Sequence, residues 1–184
     1  MPVAEMLKRL LVLVCCFALW FGLAPVQASP AYRAYAENLL RNLPKGAKFR
    51  PDLEAKLNAY ASAARKKAGK PPLTASPLLL KAARAQALEM LRGNFVGHRS
   101  KSGFRYKKRF EAFGGDERGD HGENAARDRQ SGSVNAAKAR RLFQQWLDSR
   151  GHRRNLMKYD YRYVSTGAVQ VGHHLYAIQI FWEK

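Results

Sequence analysis

Cysteine is almost missing from this chain of 184 residues: there are two, Cys15 and Cys16, adjacent and inside one apolar run near the start. Once that run is set aside no disulfide can form, so packing must hold the remainder together. Acidic residues are scarce too, 14 against 33 lysines and arginines. Beyond residues 10–23 there is no long hydrophobic run, no internal repeat and no low-complexity block. No aromatic-interleaved RNA- or DNA-binding motif is visible, which speaks against a specific nucleic-acid partner.

The opening residues carry an export signal. Lys8 and Arg9 form a positive start, residues 10–23 are almost unbroken apolar, and Pro25 ends the run. Val26-Gln27-Ala28 then offers small residues for cleavage, so residues 1–28 read as a signal peptide. The run falls short of the roughly 20 residues a membrane span needs, and an uncleaved anchor is the alternative. Val14 and Cys15 are poor neighbours for lipoprotein processing. The expected location is extracytoplasmic, periplasmic or extracellular.

The chain carries a net charge of +19; Glu5, Lys8 and Arg9 give the leader +1 of it, leaving +18. Basic clusters fall at 65–67, 105–109, 138–141 and 150–154. Such a field attracts anionic partners: lipid head groups, acidic polysaccharides or other envelope components, and a membrane surface.

About 155 exported residues suffice for one domain. Residues 29–51, with Pro44, Gly46 and Pro51, are expected to be a loosely attached arm with a short helix over 35–41. From Asp52 the pattern is helical, with Leu53, Leu57, Tyr60, Ala61 and Ala64 on one face until Gly69. A second helix is expected from Ser76-Pro77, with Leu80, Ala83, Ala87, Met90 and Leu91 as its apolar stripe. A short basic helix follows over 103–113, then an acidic loop over 116–124. A third helix capped by Ser133 would bury Leu142, Phe143 and Trp146, ending at Arg150-Gly151 with His152 in the turn. The β-branched and aromatic segments 164–171 and 175–182 read as a hairpin turning at 172–174. Helices preceding a small antiparallel sheet give an α+β domain over 52–184.

Two imidazoles and a carboxylate stand out: His98 after the second helix, Glu123 in Gly122-Glu123-Asn124-Ala125-Ala126, and His152 in Ser149-Arg150-Gly151-His152-Arg153-Arg154-Asn155. Each adjoins glycines that permit sharp turns, and together they could line one cleft. Taken singly, each could equally be a surface or structural residue.

In this order and spacing, these blocks resemble the CAP superfamily, or SCP domain, of cysteine-rich secretory, venom allergen and pathogenesis-related proteins. Leu57-Asn58-Ala59-Tyr60, Leu73-Thr74-Ala75-Ser76-Pro77, Trp146 and Tyr176-Ala177-Ile178-Gln179-Ile180-Phe181 extend the likeness over residues 52–184. The resemblance implies an α-β-α sandwich with a small antiparallel sheet between helices, and a cleft at His98, Glu123 and His152. Many members carry a second glutamate after the tryptophan; here Trp146-Leu147-Asp148-Ser149 runs straight into the histidine block, as in shorter bacterial members.

Three uses of such a cleft follow. His98 and His152 could bind Zn²⁺, with Glu123 as third ligand or as orienter. Glu123 could act as general base in a metal-assisted hydrolysis of peptide or envelope material. Or the cleft could be a binding site for a lipid or cell-envelope ligand, which family members are linked to. A Ser149-His152-Glu123 arrangement is imaginable, though a serine at a helix end is usually a cap. A cationic adhesin with a vestigial cleft is the remaining class.

Overall fold

The computed structural model describes residues 30–184; the expected signal segment lies outside them. Its frame is the C-terminal hairpin. Strand β4 (Tyr163–Val171) pairs with β5 (His174–Trp182), the chain reversing at Gly172 with φ +53, a left-handed conformation that suits glycine. Strand β3 (His121–Asp128) pairs antiparallel with β5 along its whole length, from His121 opposite Trp182 to Asp128 opposite Leu175. On the far edge of β4 lie β1 (Ala47–Phe49), antiparallel, and the two-residue β2 (Thr74–Ala75), parallel. The order is β1-β4-β5-β3, so β3 is an edge strand.

Alternation along β5 divides the core in two. Tyr176, Ile178, Ile180 and Trp182 face α1 (Pro30–Arg41), α3 (Leu80–Gly93) and α4 (Tyr106–Ala112). Leu175, Ala177 and Phe181 face α2 (Pro51–Lys67), α5 (Ala136–Asp148) and α6 (Arg150–Leu156). This is the expected α-β-α sandwich. Trp146 and Trp182 are both core residues, 0% and 2% exposed. Helix α3 approaches β4 closely because Gly167 has no side chain; a Cβ there would lie 2.3 Å from the Arg84 backbone nitrogen.

Several local expectations are corrected. The segment expected as a loose arm is part of the core: Tyr32, Ala36 and Leu39, spaced along one face of α1, are buried against α3 and α4, and β1 joins the sheet. The packed unit therefore begins at α1, not at residue 52. Helix α3 starts at Leu80, because Ser76 Oγ accepts from the Leu78 N–H and closes a turn ahead of it. Helix α5 is capped by Asn135, not Ser133; its Oδ1 accepts from the N–H groups of Ala137 and Lys138. Arg150-Gly151 does not leave His152 in a turn. Ser149 caps a new helix, and His152 lies in the first turn of α6. The acidic loop ends at Asp120; Glu123 sits inside β3, not in a loop.

Candidate functional site

Strand alternation in β3 sets the site. Glu123 and Ala125 point to the α3/α4 side, whereas Asn124 and Ala126 point to the α5/α6 side. An edge strand can therefore present a carboxylate on one face and hold a helix on the other.

On the first face, the fully buried Arg109 of α4 meets Glu123. Its Nη2 donates to Oε1 at 2.9 Å and Oε2 at 3.1 Å, and also to the His98 backbone carbonyl at 2.8 Å. His98 turns its ring to the same carboxylate, Nδ1 standing 2.9 Å from Oε1. With a proton on Nδ1, Glu123 accepts from the imidazole and the guanidinium at once, and the half-exposed ring keeps Nε2 for other partners. One guanidinium thus fixes both the carboxylate and the backbone of the histidine that contacts it.

On the second face, Asn124 Nδ2 donates to the His152 carbonyl at 3.1 Å, and Asn155 Nδ2 donates to Asn124 Oδ1 at 3.0 Å. Tyr161 OH completes the chain, donating to Asn155 Oδ1 at 2.9 Å. These bonds tie α6, and with it His152, to β3. Gly122 is required here: a Cβ would lie 2.2 Å from Asn155 Oδ1 and 2.5 Å from Tyr161 OH. The Gly-Glu-Asn triplet therefore has one physical role per residue: close approach, carboxylate, helix anchor.

The wall beyond α6 is held by Arg65, which is fully buried and bonded to main-chain carbonyls. Its guanidinium donates to the carbonyls of Pro71, Leu156, Lys158, Tyr159 and Tyr161. The result is an open cleft of about 830 Å³ in which His98, Glu123 and His152 share one lining with Lys70, Arg154 and Lys158. The three residues singled out from the sequence are thus brought to one cleft.

The two imidazoles are biased in opposite directions. The contact with Glu123 raises the His98 pKa above the ordinary imidazole value, against the effect of its burial. Burial lowers that of His152, and the neighbouring His98 charge adds to the effect. Among the described residues no three histidine, aspartate or glutamate side chains are grouped to hold a metal ion. A divalent cation would find two protein donors here, His98 Nε2 and the His152 ring, with Glu123 fixing the tautomer of His98 from behind.

Ser149 lines the cleft but acts as a helix cap, Oγ accepting from the His152 N–H. His121 does not line the cleft; its ring packs on Phe110 and Tyr106, with centroids 4.4 and 5.4 Å away. In the acidic loop, Asp116 pairs with Arg118 and Glu117 with Lys107. Arg65 and Arg109 were hidden in what read as basic surface clusters. A signal existed for Arg65, which continues the four-residue step Leu53, Leu57, Ala61 along the buried face of α2.

The profile of the CAP family, described as the cysteine-rich secretory protein family, matches residues 22–182. An extracellular protein with an SCP domain from Bacillus anthracis has a similar structure, with 19% identity and a TM-score of 0.58, over 74% of this chain and 45% of that one. An outer surface protein of Borrelia burgdorferi aligns at 16% identity and a TM-score of 0.62, covering 75% of this chain and 98% of that one. A cysteine-rich secretory protein of Staphylococcus aureus aligns at 18% identity and 0.52, covering 73% and 39%. The chain thus spans under half the length of the Bacillus and Staphylococcus proteins. No curated protein sequence matches it.

Proposed function

Because the chain belongs to the cysteine-rich secretory protein (CAP) family, we propose that it is an exported binding module whose cleft takes an anionic component of the cell envelope. The location rests on the leader read from residues 1–28, and on structural neighbours described as extracellular, secretory or outer-surface proteins.

One observation carries the reading. Glu123 is the one acidic side chain in the cleft lining, and Arg109 pairs with both of its oxygens from behind. The groups left to meet a ligand are the His98 and His152 imidazoles, Lys70 and Arg154; the two long side chains and protonated His98 carry positive charge, while Lys158 is already paired with Asp120. An anionic head group or sugar acid matches both their donors and their charge; a neutral ligand leaves the charge unmatched and a cationic one is repelled.

The hydrolase alternative, with Glu123 as general base, is weaker on this geometry. A base needs a carboxylate oxygen free to take a proton, and here Oε1 already accepts from His98 and Arg109, and Oε2 from Arg109.

Titration calorimetry with glycerol phosphate and glucuronate, against glycerol and glucose, tests the proposal. Binding of the two anions alone, lost in His98→Gln/His152→Gln, is the expected result. Equal binding of the neutral compounds, or anion binding that ignores both histidines, would overturn it.

A further inference from the structure

Directly after His98 the chain makes a tight reversal. Arg99 and Arg105 form an antiparallel bridge, Ser100 N–H donates to the Phe104 carbonyl at 2.9 Å, and Gly103 turns at φ +91. Ser102 Oγ donates to Glu89 Oε1 at 2.7 Å and fixes the reversal to α3. Two exposed arginines consequently stand opposite each other on a short two-stranded turn. Among the described residues neither has a carboxylate partner, whereas nearby Lys107 is paired with Glu117.

Like charges directly opposite on an antiparallel pair are destabilising. Nothing on the turn relieves this repulsion; an anion shared between the two guanidinium groups would, since their planar donors suit carboxylate and phosphate oxygens. The arginines line a basin of about 350 Å³ together with His98, Tyr106 and Lys107. His98 also lines the main cleft, so the two depressions meet at one imidazole. Lys70 and Arg154, in the lining of the main cleft, supply further cationic groups.

We propose that the Arg99–Arg105 turn is a second anion subsite, joined to the cleft at His98, and that the ligand is a linear anionic polysaccharide whose successive charged groups occupy both. The proposal rests on the cleft being an anion-binding site, as argued above. A chain-like ligand is favoured over a bilayer because both subsites are depressions and they share His98 in their linings. Tyr106 adds an aromatic wall to the basin, the kind of apolar surface on which a sugar ring can lie.

The test is the binding of oligogalacturonides, short and long, to the full chain. Three double variants with the same change in charge are compared: Arg99→Gln/Arg105→Gln in the turn, Lys70→Gln/Arg154→Gln in the cleft, and Lys45→Gln/Lys48→Gln near β1. Lys45 and Lys48 are exposed, at the sheet edge opposite β3. Long oligomers should lose about tenfold in affinity, or more, in the turn variant and in the cleft variant, and little in the β1 variant. Short oligomers should respond to the cleft variant alone.

A turn variant that behaves like the β1 variant at every length overturns the second subsite and leaves the cleft reading intact. A cleft variant without effect at any length sinks the cleft reading, and the continuous site with it. Binding to phosphatidylglycerol vesicles that depends on the turn, with no oligogalacturonide binding, would replace the polysaccharide by a membrane surface and overturn the proposal.

Discussion

Arg109 and Glu123 form an ion pair with 0% and 1% of their side chains exposed, Nη2 lying 2.9 Å from Oε1. Removing one member of such a pair leaves a buried charge without a partner and costs about 3–5 kcal/mol. Arg109→Met and Glu123→Gln should each lower unfolding free energy on that scale in denaturant titrations. Arg109→Met/Glu123→Leu should recover part of the loss. Single variants within about 1 kcal/mol of wild type would mean that the pair behaves like a surface bridge. Glu123→Gln is for the same reason a poor probe of activity, since it loosens the fold as well as the cleft.

The histidines should titrate apart. In NMR titrations His98 is expected above the ordinary imidazole value of about 6.5 and His152 below it. His98 gains charge more readily folded than unfolded. Its contribution to stability is therefore complete below the ordinary value and is lost as pH rises through its raised one. His152 acts in the opposite sense, its cost growing as pH falls through the ordinary range. Glu123→Gln should lower the His98 value; an unchanged value would show that the Nδ1 contact is not made in solution.

Affinity for anions should follow the same two steps. Binding of glycerol phosphate is expected to strengthen as His98 becomes charged and to strengthen again at lower pH as His152 does, while His98→Gln removes the upper step. A flat pH profile would separate the imidazoles from the ligand.

Gly122→Ala places a methyl group against Asn155 and Tyr161. Relief requires the Asn155 and Tyr161 side chains to shift, breaking the bonds that tie α6 to β3, at about 1–3 kcal/mol. Amide shifts should change along Asn155 and Tyr161 before any change near His98. Gly167→Ala is expected to be worse, because its clash is with the backbone of α3.

Zinc should be held weakly. Structural and catalytic zinc sites use at least three protein ligands, and the cleft offers two. Elemental analysis after dialysis is expected to find much less than one ion per chain, with any uptake at raised zinc lost in His98→Ala/His152→Ala. One tightly held ion per chain would show that Glu123 leaves Arg109 to become the third ligand.

Much of this was legible from residue spacing. The helical step through Leu53, Leu57 and Ala61 marked α2, which buries one continuous face, and the β-branched and aromatic segments after residue 163 marked the β4–β5 hairpin, which is buried on both faces. The site triad was legible too, through three short blocks in a set order. Strand β3 was not: Gly122, Glu123 and Asn124 have low strand propensity, and they are held extended by pairing with β5 and by Arg109 and Asn155 from either side. Helix α1 was read as an arm because Tyr32, Ala36 and Leu39 lie among exposed charged residues and find their partners far along the chain. Arg109 was unreadable for a related reason. A guanidinium in a basic run looks solvated until the tertiary fold supplies its carboxylate.

Arg65 grips its neighbours by main-chain oxygen alone. Every amino acid supplies that atom, so the side chains of Lys158 and Tyr159 can be exchanged without breaking the bonds that hold this edge to Arg65. The rim could thus be rewritten through mutation to suit a new partner while the scaffold kept its shape, a division of labour between a fixed anchor and an editable edge.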